Sequence, residues 1–179
     1  MKSNTTNNKV FISYSWDNDA HKQWVLDLAN LLIKNGIDVI LDRYELSAGK
    51  SLQHFIENAV SESNRIIIVY TPNYKLKADK REGGVGYEYS IINIGLYKDI
   101  TGQGKIIPIL RQGSIASSIP EFMQQFIHID FSNDRKFSEN YEELLREIYK
   151  EPKIKKPQIG EKPNFESNFV GVKKNDLND

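Results

Sequence analysis

The run RIIIVYT, residues 65–71, constrains the fold more than any other stretch of this chain. A strand with one wet face alternates apolar and polar side chains, whereas Ile66 to Tyr70 leave no polar face. Such a strand must be covered on both sides, as in a parallel sheet between helices. Other short runs repeat the theme: KVFIS (9–13), IDVILD (37–42), KIIPILR (105–111) and FIHIDF (126–131). Between them the apolar period changes to that of a helix. DAHKQWVLDLANLLIKNG (19–36) places Trp24, Val25, Leu28, Leu31 and Leu32 on one face, with Gly36 suited to stop it. SLQHFIENAVSES (51–63) does the same with Leu52, Phe55, Ile56, Ala59 and Val60. A helix is expected around 86–98, and SENYEELLREIYK (138–150) forms a last amphipathic one. Residues 72–84 read as a long polar loop. Pro108 removes a ladder donor from the fourth run, which predicts an edge strand or a bulge. Strands alternating with helices predict an α/β fold, a flavodoxin-like doubly wound five-stranded parallel sheet.

The 179 residues suit one domain with a full core. Residues 1–8 read as a disordered lead, 9–150 as the domain, and 151–179 as a linker or tail. The tail holds three of the six prolines and shows neither period. Lys plus Arg equal Asp plus Glu at 24 each, so no net field draws the chain to nucleic acid or an anionic membrane. The absence of cysteine removes thiolate chemistry and disulfides, and fits a cytoplasmic location. The polar start MKSNTTNNK is no secretory signal, and no apolar run is long enough to span a bilayer.

Several familiar chemistries fail on spacing. Gly49-Lys50-Ser51 before a helix looks like the end of a triphosphate loop, but Tyr44 stands where its first glycine belongs. The stretch GGVGYEYS (83–90) misses the dinucleotide fingerprint, with Tyr89 in place of the last glycine. His21, His54 and His128 lack metal-ligand spacing, so no metal is expected. Ser13 and Ser15 in FISYS lack the flanking glycines of a nucleophile elbow.

What remains is the rim at the carboxyl ends of the strands, where open α/β sheets bind ligands. Strand one delivers SYSWD (13–17), strand two DRYE (42–45), and strand three Tyr70, Thr71 and Pro72. Glu88, in the first turn of its helix, can face the same cleft. A structural role explains the same residue types: Glu88 complementing a helix dipole, Trp16 in the core, Asp17 or Asp19 as an N-cap. Composition and spacing leave both readings open.

KVFISYSWD, the stretch from LLIKNGIDVILDRYELSAGKS to IIIVYTPNYKLKA, GGVGYEYSII and KIIPIL together resemble the bacterial SEFIR branch of the Toll/interleukin-receptor (TIR) domain superfamily, over about Lys9 to Tyr149. The resemblance implies a flavodoxin-like domain and two possible roles: cleavage of NAD+, as in bacterial and plant defence, or non-enzymatic assembly in signalling. It implies Glu88 as the single catalytic glutamate. Around it, Ser13, Tyr14, Ser15, Trp16, Asp42, Arg43, Thr71, Gly84 and Tyr87 would contact substrate, with Asp17 in the same first loop. The loop from Asp42 to Gly49 would mediate assembly and gate the site. Many TIR enzymes carry a tryptophan four residues before the glutamate; here Gly84 stands there, so the stacking surface must come from Trp16, Tyr14 or Tyr87.

On this resemblance the expected activity is an NAD+ glycohydrolase of antiphage defence, giving nicotinamide and linear or cyclic ADP-ribose. Its partners would be NAD+, further copies of itself and a fused or partner sensor domain, without direct nucleic-acid or membrane contact. NAD+ is substrate, and no cofactor is needed. The chemistry is consistent with one carboxylate. The leaving nicotinamide is a cationic pyridinium that departs neutral, so the general acid of ordinary glycoside hydrolysis is dispensable. Positioning the ribose and stabilising a cationic carbon remain, and one carboxylate can do both.

Overall fold

The computed structural model describes residues 8–81 and 104–163. The GGVGYEYS stretch and the expected helix at 86–98 lie outside them. Strands β1 (Lys9–Tyr14), β2 (Asp38–Ile40), β3 (Arg65–Tyr70), β4 (Ile106–Leu110) and β5 (Ile129–Asp130) form one sheet in the order β2-β1-β3-β4-β5. Every pairing is parallel. The helices are α1 (Asp19–Lys34), α2 (Asp42–Glu45), α3 (Leu52–Glu62), α4 (Pro72–Arg81), α5 (Ile115–Ser118) and α6 (Phe137–Tyr149).

The apolar run at 65–71 divides as a doubly covered strand must. Ile67 and Val69 point into one core cluster with Val10, Ile12 and Tyr14 of β1, Val25, Leu28 and Leu32 of α1, and Leu144 and Ile148 of α6. Ile66, Ile68 and Tyr70 point into a second cluster with Phe11, with Ile56, Ala59 and Val60 of α3, and with Tyr74 and Ala78 of α4. Each fully buried aliphatic or aromatic side chain contributes on the order of 2 kcal/mol. A polar residue on either face of β3 would leave an unpaired group in one of the two clusters.

Local signals set the helix ends. Asn18, rather than Asp17 or Asp19, caps α1: its side chain accepts from the His21 amide. Asn35 ends the helix, and Gly36 follows at φ +83°. Ser51 caps α3 by accepting from His54 N.

Four expectations are corrected. The second strand ends at Ile40, because Asp42 already opens α2. Residues 72–81 form α4 instead of a loop. Pro72 occupies its first position, where a missing N–H costs nothing, and Thr71 Oγ1 accepts from Tyr74 N at 3.1 Å. β4 is an interior strand, with Pro108 unbulged opposite Ile68. Arg111 N donates to Tyr70 O, and Phe131 N donates to Leu110 O. By that alternation the Pro108 nitrogen faces the β5 side, where pairing begins only at Ile109. β5 itself is a residue pair within the longer apolar run at 126–131. Beyond α6, Lys150 adopts a left-handed conformation, and residues 151–163 are exposed without helix or strand.

Candidate functional site

The sheet order makes one crevice a matter of topology. β1 and β3 are neighbours, yet α1 packs on one face of the sheet and α4 on the other. The chain therefore parts at the carboxyl ends of these strands, which is where sheets of this order take ligands. Both helices begin at this rim, so their first turns add partial positive charge there.

A polar network spans the parting. The Ser15 hydroxyl donates to Asp17 Oδ1 and lies 3.2 Å from Thr71 Oγ1. Asn73 Nδ2 donates to the same Asp17 oxygen at 2.7 Å. Ser13 Oγ lies 3.1 Å from Tyr74 Oη. The loop after β1 is thus tied to the first turn of α4 on the far side of the crevice. Ser13, Ser15 and Thr71 are fully buried, so they build the rim's support, while Asp17 is half-buried at its surface.

A second group joins β1 to the start of α2. The Asp42 carboxylate is buried and accepts three hydrogen bonds: from Tyr14 Oη at 2.9 Å, from Trp16 Nε1 at 2.7 Å and from Arg43 N at 2.8 Å. Burial, then the adjacent Asp42 charge, raises the Tyr14 phenol far above its ordinary value, so it stays a donor. Trp16 is 41% exposed rather than core. Arg43 is exposed and donates to Lys22 O on α1 at 3.2 Å.

Beside these lies His21, buried, with neither ring nitrogen hydrogen-bonded. Burial lowers its affinity for a proton; Asp17 opposes this and Arg111 adds to it. Arg111, just past β4, lies over the Trp24 ring at 4.6 Å and donates to Phe131 O at 2.7 Å and Asp134 Oδ1 at 2.8 Å.

The structure therefore gathers Ser13, Tyr14, Ser15, Trp16, Asp42 and Thr71 at adjoining strand ends, with Arg43 at the outer margin. Glu88, Gly84 and Tyr87 lie outside the described residues. Reading the sequence alone missed Asn73 and Tyr74, because their helix was taken for a loop. The Thr71-Pro72 pair was the available signal, a capping side chain followed by proline at the first helical position. Gly49-Lys50-Ser51 makes a turn: Lys50 Nζ donates to Glu45 O at 2.6 Å and Ser51 serves as the α3 cap. Among the described residues no three acidic, histidine or cysteine side chains gather as a metal site. No described helix is long and apolar enough to cross a membrane.

The order β2-β1-β3-β4-β5, with a polar crevice between β1 and β3, defines a flavodoxin-like α/β protein. The family model of the TIR domain matches residues 10–145. A prokaryotic SEFIR domain, solved as a crystal structure, is 38% identical, with a TM-score of 0.72, over 86% of this chain and 99% of that one. The chain belongs to the TIR domain family, in its SEFIR branch. Two more distant structures share the fold. The TIR domain of the Toll-related receptor TRR-2 from Hydra magnipapillata is 23% identical, with a TM-score of 0.56, over 78% of this chain and 97% of its own. The TIR domains of the activated Roq1 resistosome, which directly recognises the pathogen effector XopQ, are 19% identical, with a TM-score of 0.53, over 79% of this chain and 99% of theirs.

Proposed function

We propose that this domain cleaves the nicotinamide–ribose bond of NAD+. The observation that carries the reading is the polar crevice at the β1/β3 parting, where Ser15, Asp17, Thr71 and Asn73 are hydrogen-bonded, with the half-exposed indole of Trp16 in the same loop, held toward the end of β2 by Asp42. Such a rim suits a dinucleotide: the half-buried Asp17 carboxylate and Asn73 amide, held from below by the buried Ser15 and Thr71 hydroxyls, for sugar hydroxyls, helix N-termini for negative charge, and an indole for a flat ring.

In this reading Glu88 supplies the carboxylate. It holds the ribose hydroxyls and stabilises the cationic anomeric carbon as the glycosidic bond breaks and its electron pair leaves with neutral nicotinamide. Water then bonds to that carbon and loses a proton to solvent, giving ADP-ribose; attack by an adenine nitrogen gives a cyclic product instead. The reaction needs no added cofactor. We place the protein in the cytoplasm, in antiphage defence, joined to a fused or partner sensor domain and active when copies assemble through the segment at 42–49, α2 and the turn after it.

The test is nicotinamide release from NAD+ by the chain and by Glu88→Gln, which keeps shape and removes charge. Loss of at least about a hundredfold is expected if the electrostatic role is right; equal release by both proteins would remove the assignment. Specific activity is expected to rise with protein concentration, and a flat dependence would count against assembly. The likeness to a prokaryotic SEFIR domain also favours a second reading, a non-enzymatic scaffold acting by homotypic assembly. Self-association without any NAD+ turnover would select it.

A further inference from the structure

His21 is 2% exposed, yet no described residue hydrogen-bonds either ring nitrogen. A neutral imidazole carries one donor and one acceptor nitrogen, so both of its polar functions go unmet in a buried place. The start of α1 sets where the ring lies. Asn18 is the N-cap and its side chain accepts from His21 N at 2.8 Å; a side chain at this third helical position reaches back over the cap. Asp17 directly precedes that cap. Its charge favours a proton on the ring, while Arg111 past β4 opposes one, as does the partial positive charge of the helix start. The Tyr14 ring of β1 lies 6.1 Å away, with its phenol donated to Asp42 of α2. Arg43 of α2 reaches Lys22 O, and Asp19 and Lys22 of α1 pair with each other at 2.6 Å. Asp17 is thus the carboxylate to which a charged His21 would turn.

Both described bonds to the Asp17 side chain fall on Oδ1. One comes from Ser15 in the same loop, the other from Asn73 Nδ2 on α4, across the crevice, at 2.7 Å. We propose that His21 is a proton switch for the β1/β3 crevice: the charged ring draws the Asp17 carboxylate to itself, and the bond from Asn73 across the mouth is given up. An imidazolium presents two N–H donors, and a buried charge needs a hydrogen-bonded counter-charge. The Ser15 bond moves with its own loop. Asn73 belongs to a different helix and is half-buried, so water replaces Asp17 as its partner. Access to the crevice then depends on pH whatever ligand it takes, so the switch stands apart from NAD+ cleavage.

An NMR titration of the whole chain tests this. There are three histidines; His54→Gln and His128→Gln, both outside the core, identify two ring signals and leave that of His21. The Asn73 side-chain amide signals, identified by their loss in Asn73→Ala, should shift with the His21 midpoint, and that step should be absent from His21→Leu. Reciprocity gives a second measurement. Asn73 carries no charge, so a through-space field from it cannot act on the ring. Asn73→Ala should nevertheless raise the proton affinity of His21 about tenfold, because uptake no longer breaks a hydrogen bond to a charged acceptor. Asn73 amide signals that stay still through the His21 titration overturn the proposal. An unchanged His21 midpoint in Asn73→Ala does so too, as does a ring that stays neutral down to acid unfolding.

Discussion

Replacing Arg111 by methionine tests whether a flat cation or an ion pair holds the β4 exit to its neighbours. Three contacts are lost, and the structure ranks them. The partner Asp134 has a 74% exposed side chain, so the ion pair contributes on the order of 0–1 kcal/mol. The bond to Phe131 O at 2.7 Å contributes about 1 kcal/mol. The guanidinium over Trp24 at 4.6 Å adds about 0.5–2 kcal/mol in a partly desolvated setting. Methionine refills much of the volume, and it removes an Nε–H that is buried without a partner, so part of the loss is offset. The net expectation is about 2 kcal/mol, or a Tm lower by about 4–8 °C for a chain of this size. Asp134→Ala should cost at most about 1 kcal/mol. Arg111→Lys, which keeps charge without the planar face, should fall nearer to methionine than to arginine. Urea unfolding followed by far-UV circular dichroism measures all three. If Asp134→Ala destabilises as much as Arg111→Met, the ion pair dominates and this ranking is refuted.

His21 gives a pH prediction with a definite sign. Its folded-state proton affinity is lowered, by burial first, so below about pH 6.5 the unfolded chain binds the proton more readily and stability declines until the folded pKa is reached. His21→Leu should flatten that decline between about pH 7 and pH 5; a variant that keeps the full slope assigns it elsewhere. Gly113 has φ +79°, and a Cβ there meets the hydroxyls of Ser117 and Ser118. Gly113→Ala should cost about 1–3 kcal/mol, read as a lower urea midpoint; a cost near zero would mean the turn relaxes freely.

The sheet was legible because strand patterning survives on both of its faces. Ile66 to Tyr70 could only be a central strand, and α1 and α3 announced themselves through apolar spacing, α1 with Gly36 as its stop, although the α1 cap is Asn18 instead of the expected Asp17 or Asp19. α4 was missed because it is mostly polar: among its described side chains only Tyr74 and Ala78, four residues apart, are buried, too thin a stripe to read. Pro108 misled because a missing N–H matters only on the side where a neighbour pairs, and sequence does not say which side that is. The site followed the same division. Strand ends located Ser15, Thr71 and Asp42 at the rim. The bond from Asn73 to Asp17 joins residues 56 positions apart, and no local pattern records it.

The outermost strands carry a consequence for self-association. β2 is three residues long and β5 two, so neither margin offers a usable row of free N–H and C=O groups. Another chain cannot readily add itself as a sixth strand at these short margins, and exposed strand edges are a recognised hazard for amyloid-like aggregation. If copies gather at high local density, they must meet through helix faces and loops, contacts that come apart again when density falls. A domain built this way can be crowded and released without its sheets fusing.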